Sequence, residues 1–193
     1  FTVLRGGAAG RARPQHGDAR LELVWTLVPG AVLVWIAFAQ SDEWAELRYT
    51  ARKPDVPVHA RVVASQFDWH FVYPGSDARF GTLDDLDAPY ELVVPVGSDV
   101  VLELVSRDVI HSFAVPALRV KQDIVPGMRP AIWFRATRTG SFDVVCSELC
   151  GFGHYKMAGR LRVVSAEELA RELAVLADAR RSNGHVAPGD ERR

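Results

Sequence analysis

The sequence predicts a mainly β fold: a Greek-key β-sandwich or barrel, anchored by one N-terminal transmembrane helix and closed by a short C-terminal helix. Three observations carry this. Near the start, Leu21 to Ala39 form a nineteen-residue apolar run whose single charge is Glu22, about the length that crosses a bilayer as a helix. Further on, the segments ARVVAS, DWHFVY, YELVVPV, DVVLELVS, AIWFRA, SFDVVC and GRLRVV alternate apolar and polar residues as half-buried antiparallel strands do. Last, Ser165-Ala-Glu-Glu168 reads as a capping box, with Leu169, Leu173 and Leu176 at helical spacing behind it. At 193 residues, 48% hydrophobic and 24% charged, the chain can fold one ordinary domain with something left over. Collagen-like, disordered and disulfide-scaffold classes are excluded.

Taken in order, residues 1–20 read as a connector on the cytoplasmic side. Arg5, Arg11, Arg13 and Arg20 stand there against Asp18, whereas Asp42, Glu43 and Glu46 follow the apolar run with Arg48. By the positive-inside rule, the chain beyond Gln40 is then extracytoplasmic. The opening FTVLR would fit the tail of an earlier span. Residues 21–40 are the span itself; Pro29 and Gly30 are tolerated in membrane helices, and Trp25 and Trp35 lie near its two ends, where amphipathic rings favour the interface. A buried core helix is the alternative reading. Residues 41–59 are a polar connector. Residues 60–164 hold the strands, punctuated by Pro74-Gly75, Pro95 to Gly97, Pro126-Gly127 and Thr139-Gly140. Seven or so strands with no helix between them argue two packed sheets. Residues 165–193 are the closing helix and a polar tail, SNGHVAPGDERR.

Charge and cysteine usage narrow the function. Twenty-three basic and 24 acidic residues leave a net charge of -1, so there is no global reason to expect nucleic acid as a partner. The two cysteines, Cys146 and Cys150, exclude a disulfide framework and, lacking Cys-x-x-Cys-His, a c-type haem. They belong to the densest set of metal-capable groups, C146-S-E-L-C150-G-F-G-H154-Y-K-M157, with His111 thirty-five residues before Cys146. Thiolate, imidazole and thioether together select copper by softness. Two sulfurs in one short loop can stand between two metal ions, which favours a binuclear centre. A simple disulfide and a Cys2His2 zinc site are the alternatives, and zinc gives no role to Met157. His16, His59, His70 and His185 have no comparable company.

These residues resemble a known family, subunit II of the haem-copper cytochrome c oxidases, which carries the binuclear CuA centre. CSELCGFGHYKM matches that family's Cys-x-Glu-x-Cys-Gly-x-x-His-x-x-Met loop. DVIHSFAVPALRVKQDIVPG matches its first-histidine segment, ending in Asp-x-x-Pro-Gly. LELVWTLVPG and SQFDWHFVYP resemble the start of its second span and its aromatic segment. The likeness runs in order from Phe1 to about Val164. It implies a cupredoxin-like sandwich in which Cys146 and Cys150 bridge two copper ions, His111 and His154 each bind one, and Met157 and the Glu148 backbone carbonyl complete the sites. It also implies that the Glu148 side chain reaches a magnesium ion shared with the catalytic subunit, and it sets Asp123 at that interface. The family's aromatic segment reads Gln-Trp-x-Trp, its first Trp accepting electrons from cytochrome c; here Phe67 takes that place and Trp69 the second. Phe lacks the indole N–H and the larger ring, so Trp69, Phe67 or another surface aromatic accepts electrons, or the donor is not a conventional soluble cytochrome c.

The expected function is therefore an electron-relay subunit of a membrane oxidase. It would lie in the cell membrane among lipid, with the copper domain on the periplasmic side. Cytochrome c or an equivalent would supply electrons, and the haem-copper subunit I, with other oxidase subunits, would reduce oxygen to water coupled to proton transport. The chain carries no catalytic residue of its own on this reading. Related alternatives are a CuA subunit of a nitric oxide reductase and a quinol oxidase subunit II, which keeps the fold but loses the copper. A copper chaperone or a structural sandwich is the alternative from another class. Two acidic groups, Asp84, Asp85 and Asp87 and the connector's Asp42, Glu43 and Glu46, are candidate patches for a basic donor.

Overall fold

The computed structural model describes residues 17–48 and 53–183. The FTVLR opening, the arginines before Gly17, His16, His185 and the tail from residue 184 lie outside them. The chain divides into two units, Phe1–Tyr49 and Thr50–Arg193.

The first unit carries α1 (Ala19–Ala39) and α2 (Ser41–Arg48). Asp18 caps α1, its carboxylate accepting from the Arg20 N–H at 2.9 Å, which satisfies a donor that the first turn leaves open. At ~1.5 Å per residue the 21 residues of α1 reach about 31 Å, the thickness of a bilayer's hydrocarbon core. None of its residues is buried, so it is not a core helix of this unit, and its length and composition suit a membrane crossing. The sequence treats residues 41–59 as a plain connector, yet its first part is helical. The Ser41 hydroxyl donates to the Phe38 carbonyl at 2.8 Å where α1 gives way to α2.

The second unit is a two-layer sandwich of ten strands: β1 (Ala60–Ser65), β2 (Asp68–Tyr73), β3 (Leu86–Pro89), β4 (Glu91–Pro95), β5 (Asp99–Ser106), β6 (His111–Val115), β7 (Val120–Ile124), β8 (Ala131–Arg135), β9 (Gly140–Cys146) and β10 (Ala158–Val164). One sheet runs β3-β2-β1-β5-β8 and the other β4-β10-β9-β6-β7. The seven alternating segments are all strands. Three more, β3, β6 and β7, escape the pattern. Every residue of β6 is buried, so no polar face marks it. β7 is an edge strand carrying Lys121, Gln122 and Asp123, and β3 has four residues ending in proline. The alternation suggests antiparallel pairing throughout, but β1 with β5 and β4 with β10 are parallel. The chain repeatedly changes sheets, so strands brought side by side need not be joined by a hairpin.

The core lies between the sheets, with Trp69, Phe71, Tyr73, Leu92, Leu104 and Phe113 among its largest members. α3 (Ala166–Asn183) seals one edge with Leu173 and Leu176. The Ser165 hydroxyl accepts from the Glu168 N–H at 3.2 Å, as the capping motif predicts. Arg162 on β10 ties this edge together, reaching Glu91 on β4 at 2.8 Å and Glu168 and Glu172 on α3 at 2.7 and 3.1 Å.

The acidic run between β2 and β3 is largely structural. Asp85 is buried and accepts from the Gly81 N–H at 2.7 Å, while Asp84 accepts from the Ser76 and Thr82 hydroxyls, each at 2.8 Å. Asp87 meets His70 across β2 and β3, Oδ2 to Nδ1, at 2.8 Å. Hydrogen bonding to Asp87 raises the His70 pKa against the opposing effect of burial; Asp68 also favours the charged ring and Arg107 opposes it. Because the folded pKa lies above the ordinary value, this stabilisation is fully present below about pH 6.5 and is lost as pH rises through the folded pKa. Asp87→Asn is expected to remove that pH dependence, on the order of 1 kcal/mol or less for a half-buried pair. Urea unfolding of both proteins at pH 5.5 and 8.5 checks this; an Asp87→Asn variant with the wild-type difference between the two pH values overturns it.

Candidate metal centre

Three loops at one end of the sandwich build the site. β9 ends at Cys146, β10 begins at Ala158, and the loop between them is pinned at its neck, where the Cys146 N–H donates to the Met157 carbonyl at 3.2 Å. Adjacent antiparallel strands thereby hold both ends of the loop in place. Its last turn, His154–Lys156, is a 3-10 turn that points His154 back toward Cys150. His111 opens β6, which pairs with β9 so that Phe113 faces Cys146.

The donors converge. Cys146 Sγ lies 3.8 Å from Cys150 Sγ, 3.9 Å from His111 Nδ1 and 3.2 Å from the Glu148 carbonyl oxygen. Cys150 Sγ lies 3.7 Å from both His154 Nδ1 and Met157 Sδ. His111, Cys146, Cys150 and Met157 are buried. Both thiols are free, and their separation is well beyond the ~2.0 Å of a disulfide. A tetrahedral zinc site would use four of these donors and leave the buried Met157 sulfur idle. Soft thiolates and a thioether with two imidazoles around one small volume suit copper, and the residues present fit a pair of copper ions.

The surroundings treat the two thiols differently. Burial pushes the Cys146 thiol up, but contacts from His111 and the Ser112 and Glu148 backbones outweigh it and hold the pKa well below the ordinary thiol value. Burial and the neighbouring Cys146 push Cys150 up. His111 donates from Nε2 to Asp108 Oδ1 at 2.8 Å, which leaves Nδ1 facing the sulfur. Burial opposes the Asp108 charge, but His111 and the Gln66 and Val109 N–H groups hold the carboxyl below its ordinary range.

Trp69 and Phe67 occupy different environments. Trp69 is fully buried, edge-on to Phe113 and tilted over His111 at 6.3 Å between ring centroids. Phe67 is half-buried, resting on Gly151 and Gly153 and edge-on to Phe152 at 4.9 Å. A Cβ on Gly153 would sit 2.5 Å from the Phe67 ring, so glycine there permits the close approach. Phe152 and Tyr155 are 87% and 86% exposed, forming with Leu149 an apolar rim on the loop. The Glu148 side chain points outward from the same loop. Asp123 lies on the edge strand β7, exposed, 2.8 Å from Lys121 Nζ and in register with Ser112, whose carbonyl accepts from the Ser147 N–H. Three contributors escape sequence reasoning: Asp108, Gln66 and Phe152. For Asp108 the available signal was a carboxylate three residues before His111; Gln66 and Phe152 acquire roles only through contacts made across loops.

Residues 57–164 match the family described as cytochrome C oxidase subunit II, periplasmic domain. Among curated proteins, cytochrome c oxidase subunit 2 of Cereibacter sphaeroides is 35% identical over 190 residues, covering 82% of this chain and 61% of that protein. The probable cytochrome c oxidase subunit 2 of Rickettsia prowazekii is 34% identical over 168 residues, covering 80% of this chain and 53% of its own length. The chain thus spans about half to three fifths of these relatives. The crystal structure of the periplasmic domain of subunit II of cytochrome oxidase (CoxB) of Bradyrhizobium japonicum superposes with a TM-score of 0.56 at 32% identity, covering 66% of this chain and 98% of that one. By the family match over residues 57–164 and this structural likeness, the sandwich is cupredoxin-like, and the chain belongs to the cytochrome c oxidase subunit II family.

Proposed function

We propose that this chain is the electron-relay subunit of a membrane terminal oxidase. It would accept single electrons from a cytochrome c outside the cytoplasm and deliver them to haem in a catalytic subunit that reduces oxygen to water. The observation that carries this reading is the convergence of all six donors, four buried side chains among them, at one end of the sandwich. His111, Cys146, the Glu148 carbonyl, Cys150, His154 and Met157 would hold two copper ions. When bound, these would supply one-electron redox chemistry. Strands β6, β9 and β10 hold the donors from two sides, so the donors need move little between charge states. Burial excludes water from the sulfurs. Retention of every donor speaks against a copper-free quinol oxidase subunit.

The rest of the chain supports the same assignment. α1 would anchor the protein in the cell membrane with the sandwich on the periplasmic side, as the charge bias across it suggests. The exposed Glu148 carboxylate and Asp123 would face the catalytic subunit, where Glu148 would help hold magnesium. Phe67, through Phe152, offers an aromatic surface over the Cys150 loop for an incoming electron, whereas Trp69 would serve as core support beneath His111. The test is copper loading of the purified protein, followed by metal analysis, low-temperature electron paramagnetic resonance and reduction by cytochrome c. About two coppers per chain with a delocalised multi-line signal, reduced by cytochrome c, is the expected result. No copper, or one localised copper, overturns the proposal.

A further inference from the structure

The turn between β1 and β2 crosses the end of the sandwich and touches both halves of the metal centre. The Gln66 side-chain amide donates from Nε2 to the Cys150 carbonyl at 2.5 Å. Its backbone N–H donates to Asp108 Oδ2 at 2.7 Å. The other oxygen of Asp108 accepts from His111 Nε2 at 2.8 Å and from the Val109 N–H at 2.6 Å. One residue therefore bridges the strand that carries His111 and the loop that carries Cys150 and His154. Beside it the Phe67 ring fills the space over Gly151 and Gly153. The other links between the two sides lie at the start of the loop: the Ser147 N–H donates to the Ser112 carbonyl at 3.0 Å, and Cys146 Sγ stands between His111 Nδ1 and Cys150 Sγ.

From this juxtaposition we infer that Gln66 is a positioning residue that sets the Cys150–His154 segment against His111. The inference rests on the metal-centre reading above. The segment from Cys150 to Met157 carries three donors, and its internal backbone bonds are short-range: His154 N–H to the Gly151 carbonyl at 3.1 Å and Lys156 N–H to the Gly153 carbonyl at 3.1 Å. Such a turn opens locally unless something outside it holds it. Gln66 supplies that outside tie at the carbonyl next to Cys150 Sγ, and its exposed position lets the side chain change without emptying the core. A protein-held ligand geometry depends on such supporting contacts.

The experiment uses the full chain in detergent and two variants, Gln66→Met, which keeps length and loses the donor, and Gln66→Glu, which sets a carboxylate against the Cys150 carbonyl. Hydrogen exchange is read first on the metal-free proteins. The His154 and Lys156 amides are expected to exchange about fivefold or more faster in both variants, while amides of β1 and β5 keep their protection. After copper loading, the variants are expected to shift the reduction potential and the hyperfine pattern and to lose metal faster to a chelator. A purely structural role would lower global stability and speed exchange in β1 and β5 as well as at His154 and Lys156. Unchanged exchange at His154 and Lys156 in both variants overturns the inference. A wild-type chain that takes up no copper refutes the functional proposal instead, and the metal-free exchange comparison still decides the role of Gln66.

Discussion

Cys146→Ser is expected to abolish the delocalised copper signal and to lower copper content from about two per chain to at most about one. The reason lies in what Cys146 touches: its sulfur stands within 4 Å of His111 Nδ1, the Glu148 carbonyl and Cys150 Sγ. It is the donor that links the β6 side of the site to the loop side. A serine hydroxyl is close in size but is a hard donor that stays protonated at neutral pH, so the contact geometry survives and the soft bridge does not. Folding is therefore expected to change little, since the substitution nearly conserves volume. Metal analysis and paramagnetic resonance on the copper-loaded variant, with its unfolding curve alongside, make the measurement. Two coppers with an unaltered signal in Cys146→Ser would remove Cys146 from the centre.

Trp69→Ala is expected to destabilise the sandwich by about 3–5 kcal/mol, because it empties the largest fully buried side chain of the core. Its ring supports Phe113 and His111 from below, so the loss is felt at the metal end as well as in the core. Phe67→Ala is expected to behave differently. The half-buried ring contributes less to folding, and its removal uncovers Gly151 and Gly153 and strands Phe152 without its edge contact. Reduction of the copper-loaded chain by cytochrome c is expected to slow by about tenfold in Phe67→Ala, the scale of a lost aromatic contact at an interface. Urea unfolding together with stopped-flow reduction separates the two residues. A Phe67→Ala protein reduced at the wild-type rate would move the electron-accepting surface elsewhere on the domain.

Much of the fold was legible because its signals are local. Alternation in ARVVAS, DWHFVY and DVVLELVS reports one buried face per strand, and each is a strand in the structure. The Ser165 cap and the leucines behind it report α3 in the same way. β6 was illegible for the opposite reason: its two faces are both covered, so HSFAV shows no contrast to read. The acidic run between β2 and β3 looked like a free patch in the sequence; Asp85 is instead a buried acceptor inside its own loop.

The sequence by itself determined which metal-capable residues share one loop. Cys146, Cys150, His154 and Met157 fall within one twelve-residue loop, where spacing alone keeps them near one another and the softness of their donors favours copper. It also determined the apolar run of α1, because length and composition suffice for that. Only the tertiary structure decided that His111 reaches Cys146, that Gln66 and Asp108 tie the two sides together, and that Phe67 rather than Trp69 lies toward the surface. Those relations join residues 35 to 84 positions apart. Local periodicity carries no record of them, since they are set by which strands pair and how the two sheets pack face to face.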